Sequence, residues 1–267
     1  MTIVLLDWGE IKTMESYYDQ LSAEVYAIDK KIGHTFGDVE FYRDRLSGCT
    51  GKILEPGVGT GRILIPLLES GLDVDGLDMS AAMLAHCKEN CKQRGLDARL
   101  FQGNMQSTTF KDTYDAIIIP TGTFLLLHQR NESTQALHNF YDHLNDGGRF
   151  IFDIFLQTKL NPGTVKTRTW ETETGDIISL EEKLVTVDAV NQYTVSHNRY
   201  EKWRNGKLIQ TELEQFPLRW YGVEEMKLLL QQVGFEKITI SADYKQNQYP
   251  NAADQIITFE AVAVKSE

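Results

Sequence analysis

Between residues 52 and 155, apolar runs typical of buried strands alternate with helical stretches, and this alternation constrains the fold more than any other feature. The strand-like runs are KILEP, VDGLD, ARLFQG, YDAIIIP and RFIFDIF, and most are separated by stretches such as RILIPLLESG, AAMLAHCKENCKQRG and TQALHNFYDHLNDG. Strands that alternate with helices of this length form βαβ units around a parallel sheet. Right-handed crossovers then place helices on both faces, so the sequence predicts a doubly wound α/β fold.

The N-terminal region has a different pattern. From residue 16 it is helical and aromatic-rich, and it is interrupted at Gly33 and Gly37. This pattern predicts two helices joined by a short loop, which precede the sheet rather than belong to it.

From about Pro162 the chain contains several strand-like runs without an intervening helix. Asn205 and Gly206 separate two of these runs, and this dipeptide predicts a tight type I′ hairpin. A helix that ends at Gly234 and two further strands follow. We therefore divide the chain into a helical lid (1–46), an α/β core (47–161), an antiparallel β insert (162–216) and a C-terminal part that completes the core (217–267).

Charge and hydropathy exclude two classes of partner. The chain has 27 basic and 38 acidic side chains, a net charge of −11, whereas a nucleic-acid partner would require clustered Lys and Arg. The longest apolar run, AIIIPTGTFLLL, contains a proline and is shorter than the roughly 18 residues that span a bilayer. The N-terminus, MTIVLLDWGE, lacks the basic segment of a signal peptide. We expect a cytoplasmic protein that binds neither nucleic acid nor membranes.

The three cysteines, Cys49, Cys87 and Cys91, cannot form a closed disulfide framework, which suits a reducing compartment. Cys87 and Cys91 share a helix face, but a tetrahedral zinc site needs two further ligands. We predict no metal site.

Gly57, Gly59 and Gly61 occupy the predicted turn between the first strand and the first helix, where open α/β sheets bind ligands. A glycine in regular structure costs roughly 0.5–1 kcal/mol relative to alanine, so this cluster indicates close approach of a ligand to the backbone. A dinucleotide fingerprint would place its third glycine where Arg62 stands. Glu55 would repel a pyrophosphate but suits a ligand with a cationic amine.

The segment from Glu55 to Gly61 resembles motif I of the class I S-adenosylmethionine (SAM) dependent methyltransferases. Further matches follow in order: the acidic end of VDGLD, the loop FQGNM, the strand YDAIII and the turn LNDGGRF. The resemblance covers most of residues 15–156 and resumes near residue 219. It implies a mostly parallel seven-stranded sheet with helices on both faces, an N-terminal helical lid and an antiparallel β insert.

The resemblance also implies which residues bind the cofactor. Glu55, Gly57, Gly59 and Gly61 would surround the methionine part, Asp78 the ribose, Met79 the adenine face, Asn104 and Met105 the adenine edge, and the backbone of Pro120 and Thr121 the methionine amine, while Tyr18 and Tyr26 would close over the carboxylate. The family usually has Asp where Asn104 stands. The amide oxygen can still accept a hydrogen bond from the adenine amine, although without a negative charge.

The lid and the insert together resemble the subgroup that includes aminosugar N-methyltransferases. The implied reaction moves a methyl group from SAM to an N or O atom of a small-molecule acceptor and leaves S-adenosylhomocysteine (SAH). His128 is the first candidate general base and His197 the second, and a homodimer through the insert is a further expectation. Two alternatives stay open: a nicotinamide-dependent oxidoreductase, and a non-catalytic SAM-binding protein.

Overall fold

The computed structural model describes residues 18–265, so the part of the predicted lid before Tyr18 lies outside the described residues. Seven strands form the central sheet: β1 (Ile53–Pro56), β2 (Val74–Asp78), β3 (Leu100–Gln102), β4 (Tyr114–Ile119), β5 (Leu144–Ile154), β10 (Phe235–Ala242) and β11 (Ile257–Ala263). Their order is β10-β11-β5-β4-β1-β2-β3. The first five pair in parallel, and β11 pairs antiparallel with both β5 and β10. The predicted mostly parallel, seven-stranded sheet is confirmed.

Helices cover both faces of this sheet. They are α2 (Asp38–Leu46), α3 (Leu64–Glu69), α4 (Ala81–Gln93), α5 (Arg130–His143) and α6 (Val223–Val233), with a 3₁₀ segment at Pro120–Leu126, whereas α1 (Gln20–Asp29) packs against α4 and the insert. Successive strand side chains point to opposite faces. Accordingly, Ile117 and Ile119 pack in the core that contains α5 and α6, whereas Ile118 packs in the core that contains α2, α3 and α4.

Two helix termini show how local sequence sets these bounds. The Ser80 hydroxyl accepts a hydrogen bond from the backbone N–H of Met83 (3.1 Å) and so caps the N-terminus of α4. Gly234 has a φ of +117° and ends α6, as the sequence predicts.

The insert is a second, antiparallel sheet of four strands: β6 (Val165–Glu171), β7 (Ile177–Asp188), β8 (Tyr193–Arg204) and β9 (Lys207–Arg219), in that order. Asn205 and Gly206 both have positive φ (49° and 72°), which a type I′ turn requires, so the predicted hairpin is confirmed. The last strand runs beyond the predicted boundary at residue 216. The division into four regions stays a prediction.

Helix α1 lies on one face of the insert sheet, the inner face, which carries Ile178, Leu180 and Tyr200. Its residues Leu21 and Val25 pack against Ile178, Leu180 and Tyr200. The carboxylate of Glu212, on β9, accepts hydrogen bonds from the backbone N–H groups of Leu21 (2.7 Å) and Ser22 (3.2 Å). This distant carboxylate satisfies first-turn donors that the helix cannot pair itself, so the insert fixes the position of the lid helix.

Within residues 18–265, no helix is long and apolar enough to cross a membrane.

Candidate active site

A cleft of about 750 Å³ lies at the carboxyl ends of β1 to β4. The strand order reverses between β1 and β4, and open α/β sheets bind ligands at such a switch point. Ten of the predicted site residues line the cleft: Tyr18, Tyr26, Gly57, Gly59, Asp78, Met79, Asn104, Met105, Thr121 and His128. Glu55, Gly61, Pro120 and His197 do not line it.

The three glycines of the first turn have different neighbours. A Cβ on Gly59 would approach only the Tyr26 ring, at 3.8 Å, so this backbone faces the open cleft. A Cβ on Gly57 would lie 2.3 Å from the Thr123 side chain. A Cβ on Gly61 would lie 2.9 Å from the Cys87 sulfur, on α4. Gly61 therefore permits close packing of the turn against α4. These neighbours do not support its predicted contact with a ligand.

Asp78 joins the glycine turn to the end of β2. One carboxylate oxygen accepts a hydrogen bond from the Gly59 N–H (2.9 Å), and the other accepts one from the Ser80 N–H (2.9 Å). Burial raises the pKa of Asp78, and these backbone donors oppose the rise. Each oxygen has two lone pairs, so the carboxylate retains acceptor capacity toward the cleft.

Around Met79 and Asn104, the cleft combines an apolar surface with the exposed side-chain amide of Asn104. Met79 is 38% exposed and forms one wall. Two hydrogen bonds hold the loop that follows β3. The Asn139 side-chain amide donates to the Met105 carbonyl (2.9 Å), and the Gly103 N–H donates to the Asp78 carbonyl (3.0 Å). A flat heterocycle would find an apolar face and a polar edge here.

A buried carboxylate holds the turn after β4. Asp153 accepts hydrogen bonds from the Thr121 N–H (2.7 Å), the Tyr42 hydroxyl (2.9 Å), the Thr258 hydroxyl (2.7 Å) and the Tyr244 hydroxyl (3.0 Å). Thr121 has a φ of +55°, which a β-branched residue rarely adopts. Burial raises the pKa of Asp153 to about 6, against the opposing effect of its donors. The network therefore fixes a strained backbone at the cleft wall.

Pro120 is buried behind this turn, and its carbonyl already accepts a hydrogen bond from the Thr123 hydroxyl (3.1 Å). The oxygen has a second lone pair, so its contact with a ligand stays a prediction.

Sequence reasoning did not identify Arg62 as a residue of the cleft wall. Its guanidinium forms a buried ion pair with Asp38 (2.5 Å) and donates to the His34 carbonyl (3.1 Å). Its Nε has no hydrogen-bond partner among the described residues. Arg62 begins the apolar run RILIPLL, and a charged side chain in such a run requires an oppositely charged partner when buried. This requirement could have indicated from the sequence that Arg62 has a specific role.

Glu55 lies behind the glycine turn, buried and with one carboxylate oxygen unpaired within the described chain. Burial raises its pKa well above the ordinary value, while the positive charge of Arg62 opposes the rise. The buried surroundings of Glu55 therefore favour its neutral form.

The two candidate bases differ in position. His128 lines the cleft, and its Nδ1 is buried without a partner in the described part of the chain. Burial lowers its pKa, so the neutral imidazole, which can accept a proton, predominates at pH 7. His197 does not line the cleft; it alternates on β8 with the buried residues Ser196 and Asn198, so its side chain lies on the opposite face of the insert sheet from theirs.

The remaining walls come from distant parts of the chain. Phe155 follows β5, and Phe216, Pro217 and Leu218 belong to β9.

Among residues 18–265, no cluster of three or more His, Cys, Asp or Glu side chains could hold a metal ion.

Comparison with known proteins agrees with this geometry. Residues 53–148 match a family described as a methyltransferase domain. The chain is 25% identical over 216 residues to a putative methyltransferase, YqeM, of Bacillus subtilis (strain 168), covering 81% of this chain and 85% of that protein. It is 29% identical over 211 residues to a glycine/sarcosine N-methyltransferase of Halorhodospira halochloris, covering 78% and 74%.

Among solved structures, the sugar N-methyltransferase KedS8 from Streptoalloteichus superposes with a TM-score of 0.72 at 18% identity, covering 96% of this chain and 98% of that one. At this identity the likeness concerns the fold, and it includes the region of the insert. The domain match, the curated relatives and the cleft at the switch point lead to one conclusion: the chain is an S-adenosylmethionine-dependent methyltransferase with the Rossmann-like fold.

Proposed function

We propose that the chain methylates a nitrogen atom of a small-molecule amine, with SAM bound in the cleft at the ends of β1 to β4. The observation that carries the cofactor assignment is the Asp78 carboxylate, which is tied to the open glycine turn and still has free lone pairs. Nitrogen is favoured over oxygen because several of the similar proteins are named as N-methyltransferases, among them a glycine/sarcosine and a sugar N-methyltransferase.

The residues of the cleft suit the parts of SAM in the order that their positions suggest. Asp78 would accept hydrogen bonds from the ribose hydroxyls, and Met79 would pack on the adenine face. Asn104 and Met105 would meet the adenine edge. Gly59, which presents bare backbone, would lie beneath the methionine part.

The methionine end needs groups for a carboxylate and an ammonium. Arg62, at the cleft wall, has a buried Nε without a partner among residues 18–265, which a carboxylate would satisfy. Tyr18 and Tyr26, whose rings meet edge to face at 5.7 Å, would cover this end and exclude water. Burial raises the pKa of Glu55 behind the turn, and an ammonium group bound nearby would in turn favour its ionised form.

SAM, when bound, would supply an activated methyl group on a sulfonium sulfur: the nitrogen lone pair would attack the methyl carbon in line as the carbon–sulfur bond breaks to leave SAH. The chain's own contribution is mainly positioning and exclusion of water, which can lower a barrier by as much as about 7–11 kcal/mol. His128, which lines the cleft, would accept the proton that the methylated amine releases.

The proposal is tested by incubating the protein with methyl-labelled SAM and a panel of amines that includes glycine, sarcosine and glucosamine. We expect a methylated amine and an equal amount of SAH. Binding of SAM without transfer to any amine would favour the non-catalytic alternative. Binding of NADH in place of SAM would favour the oxidoreductase alternative.

We also propose that the chain forms a homodimer through the insert. The support is a group of exposed apolar side chains on β9, an edge strand: Leu208, Ile209 and Leu213 are 47–52% exposed. Light scattering of the wild type and of Leu213→Lys would test this proposal. A monomeric wild type would refute it.

A further inference from the structure

A second cavity, of about 530 Å³, adjoins the cleft. Its walls are helix α1, the segment after β5 and the inner face of the insert sheet. It shares several wall residues with the cleft, among them Tyr18, Tyr26, Phe155 and Phe216. A ligand seated here would therefore reach the cleft past these aromatic rings.

Two residues that line this cavity each carry a buried polar atom without a partner among residues 18–265. The atoms are Oδ1 of Asn198, on β8, and Nε2 of Gln157, in the segment after β5. Asn198 is only 6% exposed, and its amide nitrogen donates to Glu214 (3.0 Å), which leaves the oxygen free. A buried polar atom without a partner costs about 1–3 kcal/mol, so such atoms are usually paired by a ligand or by water.

The two atoms have complementary requirements. The Asn198 oxygen needs a donor, such as a hydroxyl or an N–H, whereas the Gln157 nitrogen needs an acceptor oxygen. The hydroxyl of Ser196 lies on the same face of the insert and lines the same cavity. An apolar ligand would leave these groups unsatisfied.

We propose that this cavity binds the body of the methyl acceptor, and that the acceptor is a hydroxylated amine whose hydroxyl groups pair with Asn198 and Gln157. The inference rests on the proposed function, because it places the reactive nitrogen in the cleft beside the cofactor. Under this proposal, the inner face of the insert determines which acceptor binds.

The test uses matched pairs of amines that differ in hydroxyl groups. They are glucosamine against cyclohexylamine, and 3-aminopropane-1,2-diol against propylamine. Their binding to the SAH-saturated protein is measured by calorimetry for the wild type, Asn198→Leu and Gln157→Leu. Arg199→Gln serves as the matched control, because Arg199 is an exposed neighbour on the other face of β8.

We expect the wild type to prefer a hydroxylated amine over its apolar counterpart. Each Leu variant should weaken binding of the hydroxylated amine about three- to tenfold and leave SAH affinity unchanged. Gln157→Leu keeps the test valid if loss of the Asn198–Glu214 bond impairs folding. Arg199→Gln should bind like the wild type.

Equal affinity for the two members of each pair, or hydroxylated-amine binding that neither Leu variant changes, would overturn the inference. So would the absence of binding by any of these amines to the SAH-saturated wild type. Failure of SAH itself to bind is a different result, because it would refute the proposed function and, with it, the premise of this inference.

Discussion

Replacing Asp78 with Asn should weaken SAH binding while leaving the fold intact. The variant keeps the size of the side chain but replaces one acceptor oxygen with an NH₂ group and removes the charge. Asp78 pairs one oxygen with Gly59 and the other with Ser80. One of these backbone donors therefore loses its acceptor, which costs about 1–3 kcal/mol of stability. The ligand loses a charge-assisted bond, typically worth about 1.5–3 kcal/mol.

Thermal unfolding with and without SAH separates these two effects. At one hundred times the wild-type Kd, SAH stabilises the wild type by about 2.7 kcal/mol, which at about 2–4 °C per kcal/mol raises Tm by about 5–11 °C. The same SAH concentration should stabilise Asp78→Asn by only about 0.3–1.3 kcal/mol, a rise of about 1–5 °C.

Asp73→Asn is the matched control, because it removes the same charge at the opposite, exposed end of β2. It should respond to SAH like the wild type. An undiminished Tm rise in Asp78→Asn would refute the placement of the ribose. A rise with NADH but not with SAH would refute the cofactor itself.

Three further predictions concern other groups of the site. Arg62→Met leaves the charge of Asp38 buried and unpaired, so denaturant unfolding should show a loss of about 3–5 kcal/mol, whereas Arg199→Met, which breaks an exposed pair, should cost less than about 1 kcal/mol; equal losses would contradict the buried pair. The folded-state pKa of Asp153 (about 6) exceeds its ordinary value of 3.8, so the free energy of unfolding should fall by about 3 kcal/mol as pH rises from about 4 to about 6. Asp153→Asn should lack this fall, and parallel pH curves for the two proteins would contradict the prediction. Asn104→Asp should raise SAM affinity by calorimetry if a negative charge favours the adenine amine, and a lower affinity would mean that the pocket is built around the amide.

Much of the fold could be predicted because its signals are local. The alternation of strand and helix patterns, the Asn205–Gly206 turn and the helix end at Gly234 depend on residues close in sequence. The position of the cleft followed from the parallel sheet, since ligands bind where the strand order reverses.

The details of the site depend on contacts between distant residues, which local patterns do not specify. The spacing of the glycines does not show that Gly59 faces the cleft whereas Gly61 faces Cys87, because a position on α4 decides the difference. Likewise, the alternation on β8 separates His197 from Asn198, but it does not say which of the two faces points inward. That choice depends on helix α1, which lies about 190 residues away in the sequence from the Glu212 carboxylate that anchors it.

The most direct test of the central claim is a crystal structure of the protein with SAH. We expect SAH in the cleft, with its ribose hydroxyls hydrogen-bonded to Asp78 and its adenine between Met79 and the Asn104–Met105 loop. SAH bound elsewhere, or bound in the cleft without contact to Asp78, would contradict the assignment of this site.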